Sequence, residues 1–414
     1  MLRRFLVNNF KSLMNIDFRP SGINLLVGSN NSGKTNLCHA IRFLGMTSAM
    51  SLDEAASVCT PEPWNFLNVY TSSDLAEMQV EADLHTDGEE LSFAYTLQIV
   101  GRRQGVGGKT VARSFRVEYE SLRVNGGPFN NTVLLENKAG KVRLLHETRF
   151  LYGEKRVGKS STEDNIPIAG YSVVETSAPT DSTMLFRLYD LETNRRANLF
   201  KKYLSSWSYY SLDPSKLRSN AATFMDRMLK PDGSNLCSVL YTLHNLNPRE
   251  EKKLVEAVRV IEPKLDIISF QAPDPEHVYM FFEDSQSHKF GVQSLSEGTL
   301  RYLAISFLII ENRKNFPERE AAPLILIEEP ETGIFVGLFK PLFEKLDPSG
   351  SDGQFVFTSH NPYFIDLFDS SLEGLHMLKF PVEGSVLIKP DIAKLRERLG
   401  KFSLGDMHFR GLLE

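Results

Sequence analysis

The segment from Gly28 to Thr35 constrains this chain more than any other part of its sequence. It reads GSNNSGKT and fits the phosphate-loop pattern GxxxxGK[ST]. The apolar run Ile23–Val27 before it predicts a strand, and the spacing of apolar residues over Lys34–Leu44 predicts a helix. A strand, a tight loop and a helix N-terminus in this order form a site for phosphate groups.

The residue types in this segment match that chemistry. Gly28 and Gly33 allow backbone torsions that a side chain would block. Lys34 brings positive charge to the β- and γ-phosphates, and the Thr35 hydroxyl ligates Mg²⁺. A Gly- and Ser-rich turn without a ligand is the alternative, and the strand–loop–helix context counts against it. We therefore predict nucleotide contacts from Gly28, Ser29, Asn30, Asn31, Ser32, Gly33, Lys34, Thr35 and Asn36.

Composition limits the class of protein. A length of 414 residues suggests two or three structural units. A net charge of −5 and a pI near 6.1 exclude a globally basic nucleic-acid-binding coat, but not a local basic groove. We expect a cytoplasmic protein, because the N-terminus lacks a secretory apolar region and no apolar stretch is long enough to span a membrane. Three scattered cysteines predict reduced, buried thiols rather than disulfides or a zinc site, and they are Cys38, Cys59 and Cys237.

Apolar periodicity divides the chain. Alternation between about residues 75 and 136 predicts antiparallel strands, with a hairpin loop over Gly101–Gly108. Helical spacing follows from about 185 to 262, including a helix that starts at Pro248. The last third predicts an α/β layer with a parallel sheet, from Val278–Phe282 (strand), Thr299–Ile310 (helix), Leu324–Ile327 (strand), Leu338–Leu346 (helix) and Phe355–Thr358 (strand). The predicted domains are an N-terminal lobe with the phosphate loop over 1–180, a mostly helical insert over 181–270 and a C-terminal lobe over 271–414.

Two adjacent carboxylates follow the predicted strand Leu324–Ile327. Glu328, nearest to the strand, would bind Mg²⁺ directly or through water. Glu329 would orient and deprotonate the water that attacks the terminal phosphate. Because acids after an apolar run are also common in solvated loops, this interpretation depends on the phosphate loop upstream.

Two further motifs complete an ordered set. Ser296 and Gly298, in the segment SLSEGT, precede an apolar helix whose N-terminus is suited to a phosphate. His360, in FVFTSHNP, follows a strand and is placed to hydrogen-bond the γ-phosphate or its water. Alone, the first is more often a helix cap and the second a surface residue. The order phosphate loop, LSEG, ILIEEPE and SHNP is far more specific than any one motif.

With these motifs the sequence resembles ABC-type ATPases of the RecF/SMC/OLD branch, most closely the standalone OLD-like AAA-type ATPases. The NFKS segment, which resembles the opening of that branch, adds Lys11 to the predicted nucleotide contacts. The resemblance implies an α/β fold: an ABC-type P-loop ATPase head with an antiparallel lobe that carries the phosphate loop, an α/β lobe with a parallel sheet, and a small helical insert. The long interval from Lys34 to Ser296, without sustained heptads, separates the chain from transporter ATPases and from coiled-coil SMC proteins.

The resemblance also implies ATP and Mg²⁺ as cofactors and a homodimer as the working unit. Two copies would pair head to tail, with each ATP between Lys34 of one subunit and Ser296 and Gly298 of the other. On this resemblance Glu329 and His360 would be the catalytic residues, and the metal would be held by Thr35 and Glu328.

Some positions depart from the OLD-like pattern. Phe335 and Val336 stand where a His-Pro pair is usual, and Asn361 replaces a Ser after the switch histidine. OLD nucleases continue into a Toprim nuclease domain at about the point where this sequence reaches Glu414. We therefore expect any nuclease or toxin-like effector activity on a separate polypeptide.

Direct DNA binding is a weaker expectation. Basic residues beside aromatic residues can track a phosphate backbone, whereas a solvated face with packed aromatics is the alternative. The first basic cluster is Arg102, Arg103, Lys109, Arg113 and Arg116. The second, near Trp207, Tyr209 and Tyr210, is Arg195, Arg196, Lys201 and Lys202. A third group on a predicted terminal helix is Lys394, Arg396, Arg398 and Lys401.

These features predict an ATP-hydrolysing switch that dimerises around ATP and controls a partner nuclease or toxin-like effector in anti-phage or foreign-DNA defence. The first alternative is a RecF-like repair or recombination ATPase that binds DNA itself. The second is a non-hydrolysing nucleotide sensor or scaffold, and the intact pair Glu328 and Glu329 counts against it.

Overall fold

A computed structural model describes residues 1–60, 65–86, 88–106, 109–147, 171–189, 193–219, 221–222, 225–274, 276–310, 323–350 and 353–413. For residues 102–106, 109–113 and 221–222 only the backbone is described. Within these ranges the strands form three sheets, with helices packed against them. No helix in the described ranges is long and apolar enough to cross a membrane.

The largest sheet is antiparallel. Its strands are β1 (Leu2–Asn8), β2 (Ile16–Phe18), β4 (Leu75–Thr86), β5 (Glu89–Val106), β6 (Lys109–Gly126), β7 (Phe129–Lys138), β8 (Lys141–Glu147) and β9 (Tyr171–Ser177). They lie in the order β2-β1-β4-β5-β6-β7-β8-β9. In β4 the apolar residues Met78, Val80 and Ala82 are buried, while their neighbours in sequence are more exposed. The antiparallel strands predicted from the period of two are confirmed.

The loop predicted over Gly101–Gly108 is mostly strand. Gly101 pairs with Phe115, and Val106 pairs with Lys109, so β5 and β6 continue up to residues 107–108, which lie outside the described part. The loop prediction was therefore wrong for residues 101–106. Ladder hydrogen bonds join backbone groups, so a run rich in glycine can still pair when its partner strand continues.

The second sheet is mostly parallel. Its strands are β3 (Ile23–Val27), β10 (Ser208–Tyr210), β15 (Leu324–Glu328), β16 (Gln354–Ser359), β17 (Leu375–Lys379) and β18 (Val386–Ile388). Their order is β10-β15-β16-β3-β17-β18, with only the last pair antiparallel. The predicted parallel sheet is confirmed. The resemblance implied that the antiparallel lobe carries the phosphate loop, but the strand before that loop, β3, belongs to the parallel sheet. All five residues of β3 are buried, as expected of a parallel strand covered on both faces.

A third, small sheet is antiparallel. It contains β11 (Ala221–Ala222), β12 (Leu265–Asp274), β13 (His277–Asp284) and β14 (Lys289–Gly291). The predicted strand Val278–Phe282 lies in β13, so its assignment to the parallel sheet was wrong. The connection from Asp274 to His277 is too short for the crossover that a parallel pair requires, whereas an antiparallel pair needs only a tight turn.

The helices are α1 (Lys34–Met46), α2 (Leu52–Cys59), α3 (Met184–Arg187), α4 (Arg195–Ser205), α5 (Pro214–Leu217), α6 (Leu236–Leu246), α7 (Pro248–Val258), α8 (Glu297–Ile310), α9 (Lys340–Phe343), α10 (Pro362–Asp366), α11 (Ile392–Leu399) and α12 (Leu404–Phe409). Pro248 is the first residue of α7, as predicted. The helix predicted over Leu338–Leu346 is only a 3₁₀ turn, Val336–Phe339, followed by the short α9. Pro341 near the start of α9 has no N–H to bond to the preceding turn. Residues 181–270 contain β10, β11 and part of β12 beside their helices.

Two apolar cores meet at β3. Leu26 packs in the core of the antiparallel sheet and α1, whereas Leu25 and Val27 pack in the core around α8 and β16. The loop after β3 therefore lies at the junction of the two cores. The prediction of buried cysteines is confirmed, since Cys38, Cys59 and Cys237 are all buried.

Candidate active site

The phosphate loop connects β3 to α1. Its backbone has positive φ at Gly28 (153°), Asn31 (62°) and Gly33 (103°). A Cβ at Gly28 would lie 2.3 Å from the carbonyl oxygen of Leu378, and one at Gly33 would lie 2.2 Å from Ser385 Oγ. Both glycines are therefore required by backbone conformation and by space. The first turn of α1 contains no acidic residue, which leaves its amide groups suited to an anion.

The backbone of the phosphate loop holds the side chain of Lys34. Its ammonium group donates hydrogen bonds to the carbonyl oxygens of Gly28 (2.7 Å) and Ser29 (3.0 Å). Lys34 is 7% exposed, and burial lowers the pKa of its side chain. A partly desolvated ammonium at the mouth of a glycine-containing loop is a strong partner for phosphate oxygens.

Glu328 ends β15 beside the loop. Its Oε2 accepts a hydrogen bond from the Tyr209 hydroxyl at 2.8 Å. Its Oε1 is buried, and no residue in the described part of the chain makes a hydrogen bond with it. Burial raises the pKa of Glu328, and the nearby Thr35 hydroxyl lowers it. A buried carboxylate oxygen left without a donor, beside a hydroxyl, fits a cation.

These oxygen donors fit Mg²⁺. The ion binds hydroxyl, carboxylate, phosphate and water oxygens, and it usually takes only one or two protein ligands. In the described ranges no group of three or more His, Cys, Asp or Glu side chains could hold a metal by itself. Thr35 and Glu328 therefore suit an ion whose remaining ligands are phosphate and water.

Glu329, which follows Glu328 in the sequence, is paired with His360. His360 Nδ1 lies 3.1 Å from Glu329 Oε1, and both side chains are about half exposed. The Glu329 backbone has φ +41°, and its N–H donates to Thr358 O and Thr358 Oγ1 at 3.1 and 3.2 Å. A carboxylate fixed in this way and open to water can accept a proton. The sequence proposed the two residues separately, and the structure brings them together.

Glu331 is a site residue that the sequence analysis did not single out. It is 5% exposed, and burial raises the pKa of its carboxyl group. Ser359 Oγ donates to Glu331 Oε1, and the Asn361 N–H donates to Ser359 Oγ at 3.0 Å. Glu331 thereby fixes the strand end that presents His360. The third acid in the run EEPE was the available signal.

A chain of polar side chains leads from Lys11 to Glu328. Lys11 Nζ lies 2.6 Å from His39 Nδ1, and His39 Nε2 lies 3.3 Å from the Tyr209 hydroxyl, which donates to Glu328. Burial lowers the pKa of Lys11 to about 8 and that of His39 to about 3. Lys11 lines the same cleft as the phosphate loop, and its contact with a nucleotide stays a prediction. The sequence did not point to His39 or Tyr209 as part of the site.

Ser296 and Gly298 lie at the start of α8. Ser296 is exposed, and its Oγ accepts a hydrogen bond from the Thr299 N–H at 3.0 Å. A Cβ at Gly298 would lie 2.3 Å from the Gly333 carbonyl oxygen, so this glycine permits the close packing of α8 on the loop after Glu329. Arg301, also in α8, does line the cleft. Its guanidinium group donates hydrogen bonds to the carbonyl oxygens of Thr332 (3.2 Å) and Leu212 (2.5 Å).

A cleft of about 1010 Å³ contains some of these groups. Its walls include the loop residues Asn30–Asn36, with Lys11 and Ser12. Glu328, Glu329 and Thr358 line it, as do the apolar side chains of Val69, Tyr70 and Phe380. Ser296 and Gly298 are not among its lining residues. The volume suits a ligand of nucleotide size.

Two of the four residues of the second basic cluster have partners inside the protein. Arg196 is 9% exposed and pairs with Glu147 and Glu89. Lys201 donates to the carbonyl oxygens of Phe186 (2.7 Å) and Leu188 (2.9 Å). Tyr209 and Tyr210 are buried as well, so these four residues are not available to a nucleic-acid backbone, whereas Arg195 and Lys202 are exposed. The contacts of these four residues agree with the alternative of packed aromatics.

The other two basic groups have mixed outcomes. The side chains of Arg102, Arg103, Lys109 and Arg113 lie outside the described residues, while Arg116 is exposed. In α11 Arg396 pairs with Glu373 at 2.6 Å, and Lys394 with Asp391 at 3.3 Å.

The sequence of this chain matches two family models and one protein of known name. A family model described as "AAA domain, putative AbiEii toxin, Type IV TA system" matches residues 122–366, and one described as "AAA ATPase domain" matches residues 1–119. The protein "DNA replication and repair protein RecF" of Prosthecochloris aestuarii is 32% identical over 85 residues. That match covers 20% of this chain and 23% of the RecF chain, so only a small part of that relative is represented.

Solved structures show the fold. An SMC head bound to the C-terminal winged-helix domain of ScpA superposes with a TM-score of 0.54 at 11% identity, over 96% of this chain and 99% of that chain. The SMC head with an extended coiled coil, bound to the C-terminal domain of ScpA derived from Pyrococcus furiosus, gives a TM-score of 0.51 at 11% identity, over 97% and 98%. Together with the sequence matches, these findings identify the chain as a RecF/SMC-like ABC-type ATPase that belongs to the AAA family whose model matches residues 122–366.

Proposed function

We propose that this protein is an ATP-hydrolysing molecular switch whose two copies close around ATP and separate after hydrolysis. The observation that carries the proposal is the placement of Glu329, paired with His360, in the same cleft as Lys34 and the phosphate loop. A non-hydrolysing sensor would not need an exposed, oriented carboxylate at this position.

The proposed mechanism assigns one task to each group. Lys34 and the amides at the start of α1 bind the phosphate oxygens. Mg²⁺ held at Thr35 and Glu328 would supply positive charge to the same oxygens. Glu329 accepts the proton of the attacking water at its carboxylate, and His360 keeps that carboxylate oriented.

The exposed Ser296 supports a shared site. Ser296 directly precedes α8 and Gly298 lies in its first turn, yet neither lines the cleft that contains Lys34 of the same chain. A second copy would bring them to the phosphates, which explains why a monomer leaves its cleft open. This arrangement supports a head-to-tail homodimer.

The output of the switch has two candidate forms. Control of a separately encoded nuclease or toxin-like effector in defence is supported by the family description, which names a toxin of a type IV toxin–antitoxin system, and by the OLD-like resemblance. A RecF-like role in repair, with direct DNA binding, is equally supported by the matched relative.

ATP turnover by the purified protein, with and without duplex DNA, tests the proposal. Glu329→Gln provides the blank, since it removes the proton acceptor and keeps the side-chain shape. Turnover that only the parent protein performs supports a hydrolysing switch. Strong stimulation by DNA favours the RecF-like role, whereas DNA-independent turnover directs attention to a protein effector. Equal turnover by parent and Glu329→Gln would place the base elsewhere.

A further inference from the structure

The cleft has two chemically different ends. The parallel strands β15, β16, β3 and β17 lie side by side in this order, so the segments after them lie along one edge of the sheet. Glu329 follows β15 and His360 follows β16, on one side of the phosphate loop. Phe380 follows β17, on the other side. The acids and Phe380 therefore flank the phosphate loop from opposite sides.

The end away from the acids is apolar and exposed. Val69, Tyr70 and Phe380 line the cleft there and are 69%, 59% and 37% exposed. The rings of Tyr70 and Phe380 have centroids 6.0 Å apart and planes at 59°. Two large rings left open to solvent beside a phosphate-binding loop present flat surfaces on which a planar ligand can stack.

Hydrogen bonds hold the segments that carry these two rings. The Tyr70 N–H donates to Asn68 Oδ1 at 2.7 Å, and Asn68 is 1% exposed. The Asn68 N–H donates to Asn9 Oδ1 at 3.2 Å, and its side-chain amide contacts Glu383 O at 3.4 Å. The segments that carry the two rings are thus joined to each other and to the residue that begins NFKS.

The same support reaches the phosphate loop. Asn36 Nδ2 donates to Ser12 Oγ at 2.8 Å, and Ser12 Oγ lies 2.7 Å from Ser385 Oγ. Ser385 in turn packs against Gly33. The ring pair is therefore fixed relative to the position of the phosphates, which a ligand with a phosphate end and a planar end requires.

We propose that Tyr70 and Phe380 form the base-binding subsite of the nucleotide cleft, where the flat face of the base stacks against their rings. The inference rests on the proposed function, since it takes the triphosphate to lie on the phosphate loop. It orients the nucleotide, with its terminal phosphate toward Glu329 and its base toward Phe380. It also gives the base a recognition mode that depends on ring area more than on hydrogen bonds to base edges.

The test compares a ligand that has a base with one that lacks it. Dissociation constants for ATP and for inorganic tripolyphosphate are measured in the Glu329→Gln background, where turnover does not interfere. Combined Tyr70→Ala and Phe380→Ala should weaken ATP binding by about 10-fold or more, as loss of base stacking does. Tripolyphosphate binding should stay within about twofold. Tyr70→Phe should keep ATP affinity, because it keeps the ring.

Tyr189→Ala is the matched control, since Tyr189 is 78% exposed and does not line the cleft. Unchanged ATP affinity in the double variant would overturn the subsite, as would equal weakening of ATP and tripolyphosphate, which would indicate a distorted phosphate loop. Parent protein that binds tripolyphosphate as tightly as ATP would overturn the subsite alone. Parent protein that binds neither ligand would overturn the proposed function and the subsite with it.

Discussion

The Tyr209 hydroxyl donates a hydrogen bond to Glu328 Oε2 across 2.8 Å, although 119 positions separate the two residues in the sequence. Tyr209 lies in β10, the edge strand that pairs with β15, and is 7% exposed. With one oxygen held by Tyr209, Glu328 has its other oxygen free for a cation. Tyr209 is therefore a positioning residue for the metal site that we propose.

Tyr209→Phe should raise the Mg²⁺ concentration that half-saturates ATP turnover by about 10-fold, because outer-shell hydrogen bonds orient metal ligands. The ring stays in place, so kcat at saturating Mg²⁺ should change much less. A Mg²⁺ titration of turnover measures both quantities. Tyr203→Phe is the control, since Tyr203 is buried in the same core as Tyr209 and does not line the cleft. A Mg²⁺ dependence that is the same in both variants would remove Tyr209 from the metal site.

His360→Ala should lower kcat roughly 10-fold or more, because Glu329 loses the partner that orients it. If His360 acts through Glu329, the double variant His360→Ala, Glu329→Gln should be no slower than Glu329→Gln alone. Single-turnover hydrolysis of bound ATP measures the chemical step directly. A further loss in the double variant would mean that His360 contacts the phosphate or the water independently of Glu329.

Local sequence patterns were sufficient for some parts of the fold. The strand Ile23–Val27 and the start of the next helix at Lys34 were predicted because a strand, a glycine loop and a helix cap are all decided within a few residues. The sheet to which β3 belongs was not predicted correctly, because its neighbours β16 and β17 lie more than 300 positions away in the sequence.

The same limit applies to the site. The motif residues could be found because each motif is contiguous. Tyr209 and His39 could not, since their roles exist only when α1, β10 and β15 are packed together. Tyr209 was instead grouped with nearby lysines and arginines, of which Arg196 contacts carboxylates and Lys201 contacts carbonyl groups inside the protein.

The buried Glu120 predicts a specific pH dependence. It accepts hydrogen bonds from the Tyr95 hydroxyl and from the Met184 and Leu185 N–H groups, and burial raises its pKa above 4.5. Because the folded state holds this proton more tightly, its contribution to the free energy of unfolding is largest below pH 4.5 and falls as pH rises through the raised pKa. Glu120→Gln cannot lose a proton, so its stability relative to the parent should increase with pH.

Urea unfolding of the parent and Glu120→Gln from pH 4.5 to pH 8 measures this difference. Only the change with pH in the difference between the two unfolding free energies tests the prediction, because glutamine also alters the hydrogen bonds to α3 at every pH. Glu118→Gln, an exposed residue on the same strand, controls for the change in net charge. A difference between Glu120→Gln and the parent that is constant across this range would show that Glu120 does not take up a proton on folding.

Ser296→Arg tests the shared site. Ser296 is exposed and outside the cleft of its own chain, so a large cation there should leave ATP binding by the monomer within about twofold. It should prevent ATP-dependent dimerisation, because the proposed partner surface requires a small residue near the phosphates. Sedimentation velocity with ATP, in the Glu329→Gln background, measures the dimer fraction. Ser296→Ala loses the cap to Thr299, at a cost of about 1 kcal/mol, but stays small and should still dimerise. ATP-dependent dimers of Ser296→Arg would contradict a site that two copies share.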